Sequence, residues 1–249
     1  MPPTATGFRT DMTAASWDYE NLTGRPPGAL LSAIGRALPR VAAVQAQVAP
    51  YARAWRAANL EALHGDRRRW IVFGDSMAQG IGAPSPFAGW VTQLQQMAQH
   101  RGVDLDVINL SASGARVSDV LGQQLPALRA LPPHRRTAGP DIVTVLIGSN
   151  DLLAKRNRAL LPSRFGSLIR AVPAGSIVST LPQPRRAAQA VNAELEAARA
   201  AGVLKVLDMH RHGPPSWRGR LAADHFHPNE AGYRAIADAF LPLVLEAAS

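Results

Sequence analysis

Five short apolar runs constrain the fold of this chain more than any other feature. They are WIVF at 70–73, LDVINL at 105–110, DIVTVLI at 141–147, SIVSTL at 176–181 and VLKVLD at 203–208. Each is short for a helix and too continuously apolar for a strand with one wet face, so each predicts a strand buried on both sides. Helical patterns separate them. Phe87, Trp90, Val91, Leu94 and Met97 recur at helical spacing, with Gly102 as a stop. AAQAVNAELEAARAAG is a strong helix former that ends on Gly202. The closing segment puts Tyr233, Ile236, Ala237, Phe240 and Val244 on one face. This alternation predicts an α/β fold, a three-layer α/β/α sandwich around a five-stranded parallel sheet.

The chain before residue 65 stands outside that alternation. Residues 1–25 read as polar and irregular. From Ala29 to about Leu63, the residues Leu30, Ile34, Leu38, Val41, Val44, Val48, Tyr51 and Trp55 mark one helix face, with Pro39 and Pro50 expected to kink or split it. We therefore expect residues 1–65 to form a polar segment and helical extension that packs on a sandwich of residues 66–249. The apolar stripe also fits a lid or wall of an acyl pocket, or an interfacial or dimer surface, and oligomeric state is left open.

In open parallel sheets, ligands bind beyond the carboxyl ends of the strands. Gly74-Asp75-Ser76 follows the first run, and SASGAR with Gly114 the second. GSND (148–151) follows the third, and DHFHPN (224–229) lies in the long loop after the fifth. A serine hydroxyl needs a base, histidine titrates near neutrality, and a carboxylate fixes the imidazole tautomer. Four blocks, GDSMAQG, NLSASG, GSND and DHFHP, occur in the order of the SGNH superfamily, also called GDSL hydrolases. The chain resembles that family over about residues 70–245. The resemblance implies that Ser76 is the nucleophile, His227 its general base and Asp224 the acid that orients His227. It also implies an oxyanion hole of the Ser76 and Gly114 backbone N–H groups and the Asn150 side-chain amide.

Asp75 and Asp151 read as structural hydrogen-bonders, and His225 as a decoy for the base. The pairs His210/His212 and His225/His227 lack a third ligand at zinc-site spacing, so no metal is expected. No Gly-x-Ser-x-Gly elbow, dinucleotide fingerprint or phosphate loop occurs. The chain has no cysteine, which excludes disulfides and thiolate nucleophiles. Its net charge of +9 comes almost entirely from arginine, since Lys155 and Lys205 are its two lysines. With no nucleic-acid-binding motif, that charge does not predict nucleic-acid binding.

The placement of the basic residues is more informative. Arg116 follows the glycine block, Lys155 and Arg156 the third strand, Arg185 and Arg186 the fourth, and Arg211, Arg218 and Arg220 the fifth. Read as loops on the rim around Ser76, they fit an anionic substrate such as the phosphates of coenzyme A or a carboxylated sugar. They equally fit a solvated, arginine-rich surface. The triad serves hydrolysis and transfer alike. Beyond the motifs, the chain resembles cytoplasmic mycobacterial acyltransferases of this superfamily. That resemblance implies a short or medium acyl group moved from acyl-CoA to a sugar hydroxyl of a glucosylglycerate precursor, with no bound cofactor. Ester or thioester hydrolysis is the alternative, and a non-catalytic carbohydrate-binding module a second. The chain has no export signal or membrane span in its sequence, so a cytoplasmic location is expected.

Overall fold

The computed structural model describes residues 17–25, 38–134 and 139–249. The expected start of the first helix, Ala29 to Ile34, lies outside them. Helix α1 spans Pro39–Gln45 with Pro39 in its first turn, and α2 spans Val48–Ala62. The predicted split thus falls between Gln45 and Val48. Val41, Val44, Tyr51 and Trp55 are buried as expected, but Leu38 is 52% exposed, because it precedes the helix.

Strand β1 (Arg68–Gly74) leads into α3 (Ser76–Gln79) and then α4 (Trp90–Gln99). After β2 (Leu105–Asn109), helix α5 (Val117–Asp119) runs through a π turn (Val120–Gln124) into α6 (Leu125–Arg129). Next come β3 (Ile142–Leu146), α7 (Lys155–Ala171), β4 (Ile177–Ser179), α8 (Arg186–Ala200), β5 (Lys205–Leu207) and α9 (Glu230–Ala248). All five strands pair in parallel in the order β2-β1-β3-β4-β5. The direction of winding reverses between β1 and β3, which opens a crevice at their carboxyl ends.

Alternate residues of β1 serve the two layers. Ile71 and Phe73 pack with Val117, Phe165 and Leu195 on one face, while Trp70 and Val72 pack with Trp90, Tyr233 and Phe240 on the other. Phe87 instead lies in a short 3-10 turn, 45% exposed, edge-on to Trp55.

The outer edge of β2 would expose unpaired backbone groups. Asn59 on α2 covers it: its Oδ1 accepts from the Asn109 N–H (2.7 Å) and its Nδ2 donates to the Asn109 carbonyl (2.8 Å). Residues 17–25 form a strap along the same side that is irregular, as the sequence reads, but not wholly polar. Trp17, Tyr19 and Asn21 are buried, and alternate with exposed neighbours. Trp17 donates to the Ala127 carbonyl, Tyr19 to Leu110, and Asn21 to both Asn109 and Ser111.

Candidate active site

Ser76 opens α3 directly after β1, capped by the Asp75 side chain, which accepts from the Met77 N–H at 3.0 Å. As the first helical residue, Ser76 presents an N–H that has no intrahelical partner. Its hydroxyl lies 2.9 Å from His227 Nε2. On the other side of that ring, Nδ1 lies 2.6 Å from Asp224 Oδ2. Asp224 Oδ1 also accepts the Phe226 and His227 N–H groups, both at 3.0 Å, so the loop folds around the carboxylate. Burial alone would raise the Asp224 carboxyl; these hydrogen bonds from the ring and loop hold it below the usual range.

His225 is exposed and takes the loop through a left-handed conformation (φ 56°). That twist separates the two histidines, leaving His227 facing Ser76. Phe226 stacks edge-on against the His227 ring with centroids 4.9 Å apart.

Gly114 sits at φ 76°, with open space where a side chain would begin. Asn150 reaches the same region, and its Nδ2 donates to the Ala115 carbonyl (3.0 Å) and to Asp75 Oδ2 (3.2 Å). Both of its amide protons are engaged, so an oxyanion would draw one away from these partners. Burial pushes the Asp75 carboxyl up to about 6, against the Met77 N–H and the charge of His227. Asp151 is buried and accepts the Val117 N–H at 3.0 Å, tying the loop after β3 to the glycine block. Both acids thus hold loops in place, as the sequence predicts.

A cavity of about 300 Å³ adjoins Ser76. Leu146, Leu181, Met209, Trp217, Phe226 and Ile236 give it an apolar wall. None of the basic residues singled out from the sequence lines it. Lys155 and Arg156 begin α7 rather than a loop, although that helix contains Pro162 and Gly166, and Arg186 begins α8, whose alanine-rich sequence is a strong helix former. Arg185, Arg211 and Arg218 are exposed, and Arg220 turns back to the Ser216 carbonyl. Arg116 caps α5.

Sequence reasoning passed over Gly82. It sits at φ 96°, and a Cβ there would come within 2.9 Å of the His227 Cβ and 2.6 Å of the Pro228 carbonyl. Its N–H is held by Gln47 of the connection between α1 and α2 (2.7 Å), and Tyr51 donates to the neighbouring Ala83 carbonyl (2.7 Å). Trp55 donates to the Gln79 carbonyl at 3.1 Å. Gln47, Tyr51, Trp55 and Asn59 recur every four residues, so one helix face fastens the segment behind the histidine loop and the edge of the sheet.

Comparison with known proteins accords with this arrangement. No curated protein matches the chain. Among solved structures, TesA is 26% identical with a TM-score of 0.57, spanning 71% of this chain and 98% of that one. The lipase/acylhydrolase from Enterococcus faecalis is 22% identical with a TM-score of 0.55, spanning 72% of this chain and 96% of that one. The salicylyl-acyltransferase SsfX3 from a tetracycline biosynthetic pathway is 20% identical with a TM-score of 0.50, spanning 74% and 56%. The last two show the shared fold. The model of the GDSL-like Lipase/Acylhydrolase family matches residues 72–235, from within β1 into α9. With that match over more than half its length, the chain belongs to the GDSL-like lipase/acylhydrolase family and is an enzyme of serine-based acyl chemistry.

Proposed function

We propose that the chain transfers a medium-length acyl group, octanoyl in size, from acyl-CoA to a sugar hydroxyl of a glucosylglycerate precursor. The role corresponds to the octanoyltransferase of methylglucose lipopolysaccharide synthesis. The observation that carries the reading is the hydrogen-bonded series Ser76, His227, Asp224 opening on an apolar cavity of about 300 Å³. A cavity of that size and lining suits an aliphatic chain better than a sugar. The exposed arginines beyond it offer charge partners for the donor's phosphates or the acceptor's carboxylate.

In this mechanism Ser76 Oγ attacks the thioester carbonyl as its proton passes to His227 Nε2, and Asp224 stabilises the imidazolium. The oxyanion is met by the Ser76 and Gly114 N–H groups and by Asn150 Nδ2. Collapse expels the thiolate, which takes the proton from His227. An acceptor hydroxyl then gives its proton to His227 and attacks the acyl-Ser76 ester, and as the acyl–Oγ bond breaks His227 returns that proton to Ser76. Hydrolysis, with water in the acceptor's place, is favoured as a second reading by the likeness to a lipase/acylhydrolase. The assembled triad argues against a binding module without catalysis. Incubation with octanoyl-CoA, with and without a glucosylglycerate acceptor, and accounting for all acyl groups decides between them. An octanoylated sugar is expected; free octanoate as the sole product in every mixture would refute the transferase.

A further inference from the structure

We infer that the strap at residues 17–25 is a working part of the oxyanion hole, with Arg25 as a positioning residue for the Gly114 loop. The inference rests on the acyl-serine reading above. Arg25 lies well before the family-matched region, which begins at residue 72. Its guanidinium grips the Asp119 carboxylate with two hydrogen bonds, 2.5 Å and 2.6 Å, and one of the same nitrogens donates to the Gly114 carbonyl at 3.0 Å. Asp119, nearly buried, accepts the Arg116 N–H at 2.7 Å. One arginine–carboxylate unit therefore fixes both peptide groups that follow Gly114. Leu22 of the strap pairs with Ser113 on the preceding side.

From within, Asn150 holds the Ala115 carbonyl and Asp151 the Val117 N–H. The loop is thus clamped between catalytic-side residues and the strap. Gly114 has no side chain of its own to resist rotation, and its left-handed backbone has open space beside it. The loop's own turn, Ala115 N–H to the Ala112 carbonyl at 2.9 Å, holds it from inside, and these outside contacts complete the setting of the Gly114 N–H. A planar fork can serve two carboxylate oxygens and a carbonyl together, whereas an ammonium on a flexible stem cannot hold that geometry.

The test compares wild type, Arg25→Lys and Arg25→Ala on p-nitrophenyl octanoate, with thermal unfolding of each and with Ser76→Ala as control. Losing an oxyanion donor outright costs roughly 10²–10³ in kcat, so misdirecting one is expected to cost about 10- to 100-fold with KM held within about threefold. Arg25→Lys, which keeps the charge beside Asp119, is expected to lose kcat with little loss of Tm. The rate of inactivation by an organophosphonate should fall in parallel. Unchanged kcat in Arg25→Lys and Arg25→Ala overturns the inference, as does a loss of activity that follows only the fraction unfolded. Failure of the underlying reading is seen separately, as wild type that the phosphonate does not label or a Ser76→Ala variant labelled equally.

Discussion

Asp75→Asn tests the electrostatics beneath the nucleophile. The carboxyl is 1% exposed, and its raised value of about 6, against 3.8 for the free side chain, means that the folded protein binds this proton more tightly than the unfolded chain does. The stability tied to that proton is full below about pH 4 and is lost as pH rises through about 6. A shift of that size corresponds to roughly 3 kcal/mol when both states are ionised, of which about 2 kcal/mol develops between pH 4.5 and pH 8. Asparagine keeps an oxygen for the Met77 N–H and carries no charge to bury. The unfolding free energy of Asp75→Asn, relative to wild type, should therefore rise by about 2 kcal/mol across that interval. Urea denaturation at each pH, compared between the two proteins, cancels the other titrating groups. A difference that is flat with pH to within about 0.5 kcal/mol would refute a buried, strained carboxylate at this position.

Three further outcomes follow from the geometry. Asp224→Asn should lower kcat by about 10³- to 10⁴-fold with KM nearly unchanged, while His225→Asn, which tolerates the left-handed backbone, keeps turnover within about twofold; steady-state kinetics on a chromogenic ester checks both. Gly82→Ala places a methyl against the histidine loop, and a displacement of even about 1 Å there should cost roughly 10- to 100-fold in kcat, read alongside the melting temperature. Asn59→Ala strands the Asn109 N–H at the sheet edge, and should destabilise by about 1–3 kcal/mol in urea denaturation.

The sandwich and the triad were legible because their signals are local. Buried strands are short apolar runs, and a motif such as DHFHP holds its acid and base within one turn of chain. The supports of the site were not legible in the same way. The partner of Gly82 is the loop of His227, far along the chain, and glycine carries no side chain to announce it. Asn59 and Gln47 carry no apolar signal, although their spacing from Tyr51 and Trp55 puts them on one face. WDYEN, residues 17–21, alternates large or amide side chains with acids, a period of two that marks an extended strap. Its signal was hidden by the acids themselves. Charge shows composition but not direction, so the sequence alone does not aim the basic segments; two of them start helices.

The strap also imposes an order of events. Trp17, Tyr19 and Arg25 bind Ala127, Leu110 and Asp119, partners 90 to 110 residues further along the chain. At about 5–20 residues per second, the ribosome needs roughly 5–20 s to make the surfaces on which these residues dock. Those surfaces are complete before β3, β4, β5 and the loop of His227 have been made. Because Arg25 closes on the Gly114 loop in that docking, one side of that loop can be held before the second half of the sheet and the histidine exist.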